Sequence, residues 1–216
     1  MVRIDWSAYP RDATYVNLRN KGITEMNWDS SPPQLTTVDL GSNWITHMNW
    51  VNAPSHLTGV SLSINQITNM NWNSSPPNLT YVLLDNNLII HMNWDHAPPQ
   101  LTEVYLSHNQ ITEMNWDNAP QQLTKVSLNS NVKINWNNVQ KQLTDVYGYK
   151  REFQEYKKYK AAKIIQRVYI RHYTRRKVAA IKIVNGCHAW VWKPLCKDGT
   201  IGIRPRLDTY ELGLID

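Results

Sequence analysis

The residues of this chain that could carry out catalysis are few, and they stand apart from one another. Asp39, Asp85 and Glu103 could act as general acids or bases, but no partner carboxylate, histidine or serine recurs at a fixed spacing from them. His47 and His91 occupy equivalent places in the sequence, where we expect them to face solvent. The chain has no phosphate-binding loop, nucleophile elbow or HExxH motif. We therefore expect neither enzymatic activity nor a cofactor.

The composition also argues against metal binding and disulfide formation. Cys187, His188 and Cys196 are three candidate ligands, whereas a structural zinc site uses four. We expect these side chains to pack in the ordinary way and to hold no metal. Two cysteines in 216 residues do not form a disulfide framework, so a reducing, intracellular environment is expected. The chain starts without an apolar run of signal-peptide length and has no membrane-spanning stretch, which predicts a cytoplasmic protein.

The sequence offers instead a repeat that could position binding residues. The heptad ITEMNWD occurs at residues 23–29 and again, unchanged, at 111–117, four steps of a 22-residue period apart. The register reads LTxVxLxxNxITxMNWxxxPPQ, with variations. The first position is Leu (Leu35, Leu57, Leu79, Leu101 and Leu123), and the fourth is Val (Val38, Val60, Val82, Val104 and Val126). The sixth position is again Leu (Leu40, Leu62, Leu84, Leu106 and Leu128), and the ninth is Asn (Asn43, Asn65, Asn87, Asn109 and Asn131).

Each repeat predicts one short strand followed by a turn and an extended return path. The L-x-x-V-x-L spacing points alternate apolar side chains to one side of the strand. A strand of this size cannot bury its apolar face alone, so successive coils must stack, with strands about 4.8 Å apart in a parallel sheet. The ninth-position Asn, including Asn131, is expected to be buried and to bond backbone groups of neighbouring coils. The Pro pairs belong to the return path, because they cannot enter a central strand or a helix interior.

The segments LTGVSLSINQIT (57–68) and LTEVYLSHNQIT (101–112) resemble the LxxLxLxxNxL core of the leucine-rich repeat family. The resemblance covers about residues 13–147 and recurs in several consecutive coils. It implies a mainly β solenoid with 22-residue coils and a parallel sheet, preceded by an N-terminal cap at residues 1–12. It also implies that a protein partner binds to the concave surface formed by the strands.

A Met and a Trp two residues apart recur in the first five coils, on the predicted return path. Residues i and i+2 of extended backbone point to the same side, so both side chains could fill the interior. An inward Trp removes about 150–250 Å² from water, which favours this interpretation. The alternative is an exposed aromatic stripe that binds ligands. The pairs are Met26–Trp28, Met48–Trp50, Met70–Trp72, Met92–Trp94 and Met114–Trp116.

Alternate residues of the predicted strands point away from the core and would form the concave surface. The tyrosines among them are candidate anchors, because aromatic residues dominate the energetics of protein interfaces. The alternative is an ordinary solvated sheet face without a strong ligand. The candidate binding residues are Tyr15, Asp39, Tyr81, Glu103, Tyr105, Lys125 and Tyr147.

The charge distribution changes abruptly after the repeats. Residues 1–149 carry seven Lys/Arg and eleven Asp/Glu, a net charge of −4, whereas residues 150–183 carry twelve and two, a net charge of +10. The second segment lacks Pro and Gly, and its apolar residues recur every three or four positions, which predicts an amphipathic helix. We assign this helix to residues 148–184, with Asn185-Gly186 as its stop signal.

Within the basic segment, AAKIIQRVYIRHYTRR (161–176) resembles an IQ motif, the helical sequence that binds calmodulin-like EF-hand proteins. Ile165 and Gln166 match the opening pair of that motif. Arg175 matches its distal basic position, and Arg171 stands where Gly is common. The resemblance implies that Ile165 anchors in an apolar groove and that Gln166 hydrogen-bonds the partner's backbone. Arg171 and Arg175 would then face acidic side chains of that partner.

Two other roles are open to the basic helix. It could cap the last coil through its Tyr and Ile side chains, or it could bind nucleic acid or an anionic membrane surface through its charge. Residues 185–216 are expected to form a small hairpin around Asp198-Gly199. Together these patterns predict a monomeric, non-catalytic protein–protein interaction module, without specifying its partner.

Overall fold

The computed structural model describes residues 2–137 and 139–191, with side chains as far as Asn185. The chain divides into a compact unit, Met1–Tyr156, and a second unit from Lys157 onward. The first unit contains all of the described strands, and a long α-helix begins in it and continues into the second unit. The repeat is therefore confined to the first unit.

The solenoid contains one main strand from each of seven coils, which begin at residues 13, 35, 57, 79, 101, 123 and 143. In chain order the described strands are β1 (Tyr15–Asn17), β2 (Thr37–Asp39), β3 (Gly59–Ser61), β4 (Tyr81–Leu83), β5 (Glu103–Tyr105), β6 (Glu113–Met114), β7 (Lys125–Ser127), β8 (Lys133–Ile134) and β9 (Asp145–Tyr147). Seven of them form a parallel sheet in the order β1-β2-β3-β4-β5-β7-β9, and β6 pairs with β8 on the return path. Val38 lies beside Val60, one repeat along the chain. The predicted 22-residue solenoid with a parallel sheet is confirmed.

The interior of the solenoid is filled by the apolar positions of the repeat. Leu35, Val38, Leu40 and Ile45 of coil 2 are fully buried, as are their equivalents in coils 3 and 4. The predicted inward orientation of the indoles is correct, and the alternative of an exposed aromatic stripe is wrong. Met92 differs from the other methionines of the motif, because it is only half-buried. The buried indoles of the MNW motif belong to Trp28, Trp50, Trp72, Trp94 and Trp116.

A ladder of threonine hydroxyls joins neighbouring coils where the strands begin. Thr58 Oγ1 donates to the carbonyl of Thr36 at 3.1 Å, and Thr80 Oγ1 donates to the carbonyl of Thr58 at 2.9 Å. The same bond continues as far as Thr144, whose Oγ1 donates to Thr124 at 3.0 Å. The Leu-Thr pair of the repeat thus supplies one buried apolar side chain and one hydrogen bond between coils.

A second ladder consists of the buried ninth-position asparagines. Asn65 Oδ1 accepts from the backbone N–H of Ile45 at 2.9 Å, and its Nδ2 donates to the carbonyls of Leu40 and Leu62, each at 3.0 Å. One amide thereby satisfies backbone groups of two coils where the chain leaves the sheet, and such groups need partners once they are buried. Asn43, Asn87 and Asn109 repeat this arrangement.

A third ladder runs along the return path and is formed by the indoles. Trp50 Nε1 donates to the carbonyl of Asn71 in the following coil at 2.7 Å. The ring of Trp50 stacks on that of Trp28, with centroids 6.2 Å apart and planes inclined by 11°. A Trp can be buried at low cost when its N–H finds an acceptor, and here the repeat itself provides that acceptor. The other bonds of this type join Trp6 to Asn27, Trp28 to Asn49, Trp72 to Asn93 and Trp94 to Asn115.

The first residues of the chain form a partial coil that the sequence patterns did not predict. Val2 and Thr24 exchange backbone and hydroxyl hydrogen bonds, and Ile4 and Trp6 are buried. The ring of Trp6 stacks on that of Trp28, with centroids 5.9 Å apart. Residues 4–6 (IDW) stand one 22-residue period before MNW at 26–28, so the period could have identified this coil.

Coil 6 interrupts the two ladders outside the sheet. Tyr105 lies beside Ser127, a full period away, whereas Met114 lies beside Ile134, which is two residues closer. The shortening therefore falls in the turn where the ninth-position Asn belongs. Asn131 is exposed, so the prediction that it is buried is wrong. Trp116 Nε1 is buried and finds no acceptor in the described part of the chain.

The α-helix α1 (Lys150–Val191) follows the last strand directly. Tyr149 and Phe153 are buried, and the ring of Trp136 stacks on those of Phe153 and Tyr156 at centroid distances of 5.6 and 5.4 Å. The start of the helix thus packs against the return path of coil 6. The helix continues through Asn185-Gly186, which is not a stop, and the hairpin predicted around Asp198-Gly199 lies outside the described residues.

Candidate functional site

The strand face, for which we keep the name concave surface, is formed by the first and third residues of each main strand, while the second residue is buried in every strand. Because the strands pair in register, these residues form two columns that run across all seven coils. The two columns contain Tyr15, Thr37, Gly59, Tyr81, Glu103, Lys125 and Asp145, and Asn17, Asp39, Ser61, Leu83, Tyr105, Ser127 and Tyr147.

The structure brings five of the seven predicted binding residues together and leaves two apart. Tyr81, Glu103, Tyr105, Lys125 and Tyr147 lie in consecutive coils 4 to 7. Tyr15 and Asp39 lie at the other end of the sheet. Tyr15 is 56% exposed and Tyr147 is 47% exposed, whereas the other five are half-buried. The face therefore presents two accessible tyrosines near its ends and a partly enclosed group at its centre.

Glu103 organises the centre of the face. Its Oε1 accepts from Lys125 Nζ at 2.8 Å, and its Oε2 accepts from the hydroxyl of Tyr105 at 2.9 Å. The hydrogen bond from Lys125 holds the pKa of Glu103 below its ordinary value, and the same contact raises the pKa of Lys125. Partial burial, followed by the nearby Glu103 carboxylate, raises the pKa of Tyr105. These contacts fix the orientation of three side chains on the surface.

Gly59 and Tyr81 form a feature of the face that the sequence patterns did not reveal. The ring of Tyr81 lies across the backbone of Gly59, and a β-carbon at that position would overlap the ring and hydroxyl of Tyr81. A glycine inside a strand often marks a close approach by another group, and this signal was present in the sequence. Tyr81 is half-buried for this reason, and its ring is part of the surface rather than a projection from it.

The carboxylates of the face lie in different environments. Asp39 Oδ1 accepts from the backbone N–H of Gly41 at 2.8 Å, at the end of its own strand. Asp85 Oδ1 accepts from the backbone N–H of Ser107 at 2.9 Å. Burial is the main influence on Asp85 and raises its pKa, against weaker opposing effects of its hydrogen bonds and of His108. Asp85 is thus a carboxylate held partly out of water at the edge of the concave surface.

The predicted IQ-like residues lie in the second unit, on the exposed part of α1. Ile165 is 68% exposed, and Gln166, Arg171 and Arg175 are exposed as well. Several other large aliphatic and aromatic residues of this segment, including Ile164 and Tyr169, also face solvent. The segment combines these apolar side chains with a high density of Lys and Arg.

Further findings concern the remaining candidate residues, metal binding and membrane crossing. His47 and His91 are exposed, and His47 Nδ1 lies 2.8 Å from the hydroxyl of Thr46. Among the side chains that the structure describes, no three His, Cys, Asp or Glu residues come together in a way that could hold a metal ion. No helix in the described ranges combines the length and the apolarity that crossing a bilayer requires. Cys187, His188 and Cys196 lie outside the described side chains.

Comparison with known proteins identifies the fold. No protein-family model and no curated protein matches the chain. The functional domain of InlJ from Listeria monocytogenes, which includes a cysteine ladder, is 24% identical, with a TM-score of 0.50 over 68% of this chain and 32% of that one. The leucine-rich repeat domain of APL1 is 18% identical, with a TM-score of 0.54 over 63% of this chain and 38% of that one. The corresponding domain of APL1B is 19% identical, with a TM-score of 0.51 over 63% and 50%.

The chain spans half or less of the length of each of these structures. At this level of identity the likeness concerns the fold. The protein is a parallel-sheet β-solenoid of about six turns with 22-residue spacing, in which the seventh strand belongs to an incomplete coil. It is similar to leucine-rich repeat domains and is followed by one C-terminal helix.

Proposed function

We propose that the protein is a non-catalytic protein–protein interaction module and that the concave surface of its solenoid is the recognition surface. The observation that carries this proposal is the pair of in-register side-chain columns on seven adjacent strands, which include four tyrosines. Tyrosine offers apolar area and a hydroxyl at low entropic cost, which suits it to interfaces.

The rigidity of the face supports the same proposal. The threonine ladder holds each strand to the next, and Glu103, Lys125 and Tyr105 hold one another by hydrogen bonds. Side chains that are already ordered lose little conformational entropy when a partner binds. A surface of this kind can therefore convert contact area into affinity efficiently.

The proposal is tested by comparing variants of the intact protein as bait. We expect Tyr105→Ala combined with Tyr147→Ala to lose, by at least tenfold, the proteins that the wild-type chain retains from a cell extract. The matched control is Trp44→Ala combined with Val51→Ala, which removes two exposed side chains that lie off the strand face. Quantitative mass spectrometry of the retained proteins provides the measurement. Equal retention by both double variants contradicts the assignment of the recognition surface.

A second candidate function concerns the exposed helix, and we propose that residues 161–176 bind a calmodulin-like protein. This proposal is supported by the exposed apolar side chains of Ile164, Ile165 and Tyr169 among basic residues. An amphipathic basic helix with aliphatic anchors fits an apolar groove that is rimmed by acidic residues. Phe153 near the start of the same helix, and Tyr149 just before it, are buried in the first unit.

Calorimetry of the intact protein with calcium-free and calcium-loaded calmodulin tests this second candidate. Ile165→Glu should abolish the heat of binding, whereas Ile181→Glu, at an exposed position beyond the IQ-like segment, should preserve it. The absence of heat with both forms of calmodulin excludes the candidate. Binding to nucleic acid or anionic vesicles that falls steeply with added salt would favour the polyanion alternative instead.

A further inference from the structure

The middle strands of the concave surface form an apolar platform that ends at a carboxylate on the edge of that surface. Tyr81 and Leu83 project from β4, and Tyr105 lies beside Leu83 on the next strand. Asp85 follows Leu83 by two residues, and its neighbour across the coil boundary is Ser107. All four side chains are half-buried. We call Tyr81, Leu83, Asp85 and Tyr105 the central patch.

The carboxylate of the central patch, that of Asp85, is only partly stabilised by its surroundings. Asp85 belongs to neither the Arg3–Glu25 nor the Lys125–Glu103 ion pair. Its compensation comes from the backbone N–H groups of Ser107 and of Asp85 itself, from the hydroxyl of Ser107 and from His108, but from no Lys or Arg side chain of those two ion pairs. Partial burial weakens the solvation of a carboxylate, and an approaching cation would restore the lost stabilisation.

The platform beside Asp85 suits the rest of a long cationic side chain. The faces of tyrosine rings attract cations, and a flat guanidinium stacks on such rings more readily than a strongly hydrated ammonium does. The aliphatic stem of the same side chain can lie on Leu83, because Arg and Lys bury their methylene groups along apolar surfaces. The patch therefore offers rings and a carboxylate to a guanidinium and an aliphatic surface to its stem.

We propose that the central patch binds one arginine side chain of the protein partner, with its guanidinium at Asp85 and against the rings of Tyr81 and Tyr105, and with its stem on Leu83. This inference rests on the proposed function of the concave surface and specifies the chemistry of the partner. The partner contributes a protruding basic residue, and Arg binds more tightly than Lys at this position.

A peptide library displayed on phage and selected against the intact protein provides the probe. We expect the selected peptides to share an Arg, and we expect replacement of that Arg by Ala to weaken binding at least tenfold. Its replacement by Lys should weaken binding by a smaller factor. Asp85→Asn keeps the oxygen that accepts from Ser107 and removes the charge, and it should also weaken binding at least tenfold. Asp12→Asn, at an exposed position off the sheet, should leave affinity unchanged.

A double-mutant cycle locates the contact. If the guanidinium meets Asp85, then Arg→Ala in the peptide and Asp85→Asn in the protein together weaken binding far less than the product of their separate effects. Additive effects overturn the inference. Because one arm of the cycle changes only the peptide, a folding defect in the protein cannot imitate this result.

The outcomes also separate this inference from the function on which it rests. Peptides that lose binding on Tyr105→Ala but share no Arg contradict the inference and leave the concave surface as the recognition site. A selection whose binders are all indifferent to Tyr105→Ala and to Asp85→Asn contradicts both proposals.

Discussion

Asn65 in coil 3 and Asn131 in coil 6 occupy the same place in the sequence repeat, and the structure treats them in opposite ways. Asn65 is buried and bonds the backbone of Ile45, Leu40 and Leu62. Asn131 is exposed. In coil 6 another residue, Asn129, bonds the preceding turn through the N–H of His108 and the carbonyl of Asn109.

The indoles show the same contrast. Five consecutive indoles, ending at Trp94, donate to a carbonyl in the following coil, whereas Trp116 is buried without an acceptor in the described part of the chain. The coil that follows Trp116 is the shortened one, and there β6 and β8 pair instead. The residue type is unchanged between Trp94 and Trp116. What differs is the length of backbone that must bring the acceptor into place.

The strand side is unaffected by this change. Thr124 and Thr144 continue the threonine ladder across coil 6, and β7 pairs with β5 and β9 in register. The comparison shows that the strand and the turn of each coil depend on different features of the repeat. The strand needs only the Leu-Thr-x-Val-x-Leu pattern, whereas the buried polar ladders also need a turn of fixed length.

The largest difference in stability between a variant of a regular coil and the same variant of coil 6 is expected at the asparagines. Asn65→Ala should lower the free energy of unfolding by about 2–4 kcal/mol, because the buried N–H of Ile45 loses its acceptor and the carbonyls of Leu40 and Leu62 each lose one of two Asn donors. Asn131→Ala should change it by less than about 0.5 kcal/mol, since its side chain is exposed. Urea denaturation followed by tryptophan fluorescence measures both. Similar losses in the two variants would mean that Asn131 contributes as much as the buried asparagines do.

A smaller difference is expected between two indoles. Trp50→Phe and Trp116→Phe remove the same volume from buried sites, but only Trp50 donates a hydrogen bond, to Asn71 at 2.7 Å. We expect Trp50→Phe to cost about 1–2 kcal/mol more than Trp116→Phe. Urea denaturation of the two variants measures the loss of unfolding free energy in each. Equal losses would indicate that the indole hydrogen bonds add little to stability.

The turns of the regular coils permit a third test, at Ile64. Ten described residues other than glycine have a positive φ, and Ile64, at 59°, is the β-branched one among them. Asn86 holds the equivalent place in the next coil at 57°. We expect Ile64→Asn to stabilise the protein by about 1 kcal/mol and Asn86→Ile to destabilise it by about 1–2 kcal/mol, because Asn tolerates this conformation and Ile does not. Thermal unfolding of the two variants checks that the signs are opposite.

The smallest effect is expected at Asp85, which replaces the serine found at this place in the neighbouring coils, Ser63 and Ser107. Burial raises the pKa of Asp85 above its ordinary value of 3.8 in the folded state. The folded state therefore binds this proton more readily than the unfolded chain, and its stability falls as the pH rises through the raised pKa.

Asp85→Asn removes this dependence. The variant should be slightly more stable than the wild type at pH 7, and the difference should shrink as the pH falls below 3.8. Chemical denaturation at several pH values, with Asp12→Asn as the control, provides the measurement. A variant that is less stable at pH 7 would mean that the carboxylate stabilises the fold rather than serving a binding partner.

Much of the solenoid could be predicted from single residues at fixed spacing. The Leu and Val positions predicted the strands and the core, and the Met–Trp pairs predicted an interior filled without a helix. The partial coil of Ile4 and Trp6 was missed because only two of its residues follow the pattern, although the 22-residue period contains them. A capping role was among the three predicted for the helix, but the packing involves Phe153 and Tyr156 on Trp136 of coil 6 rather than a Tyr/Ile face on the last coil.

The candidate site could be predicted less completely. The alternation of the strands identified the outward residues, but which of them lie together depends on the register between coils. The ring of Tyr81 above Gly59 and the partial burial of Asp85 arise from neighbours on other strands. Neither environment can be predicted from the spacing of residues within one coil.

The sequence by itself determined the period, the strands and the inward or outward side of each residue, because these follow from backbone geometry within one coil. Only the tertiary structure decided which polar atoms are satisfied, since each buried Asn and Trp bonds backbone that belongs to another coil. Coil 6 retains the sequence pattern of the repeat, but its turn is two residues shorter and Asn131 is therefore not in the interior. Hydrogen bonds between coils depend on distances that no single repeat contains.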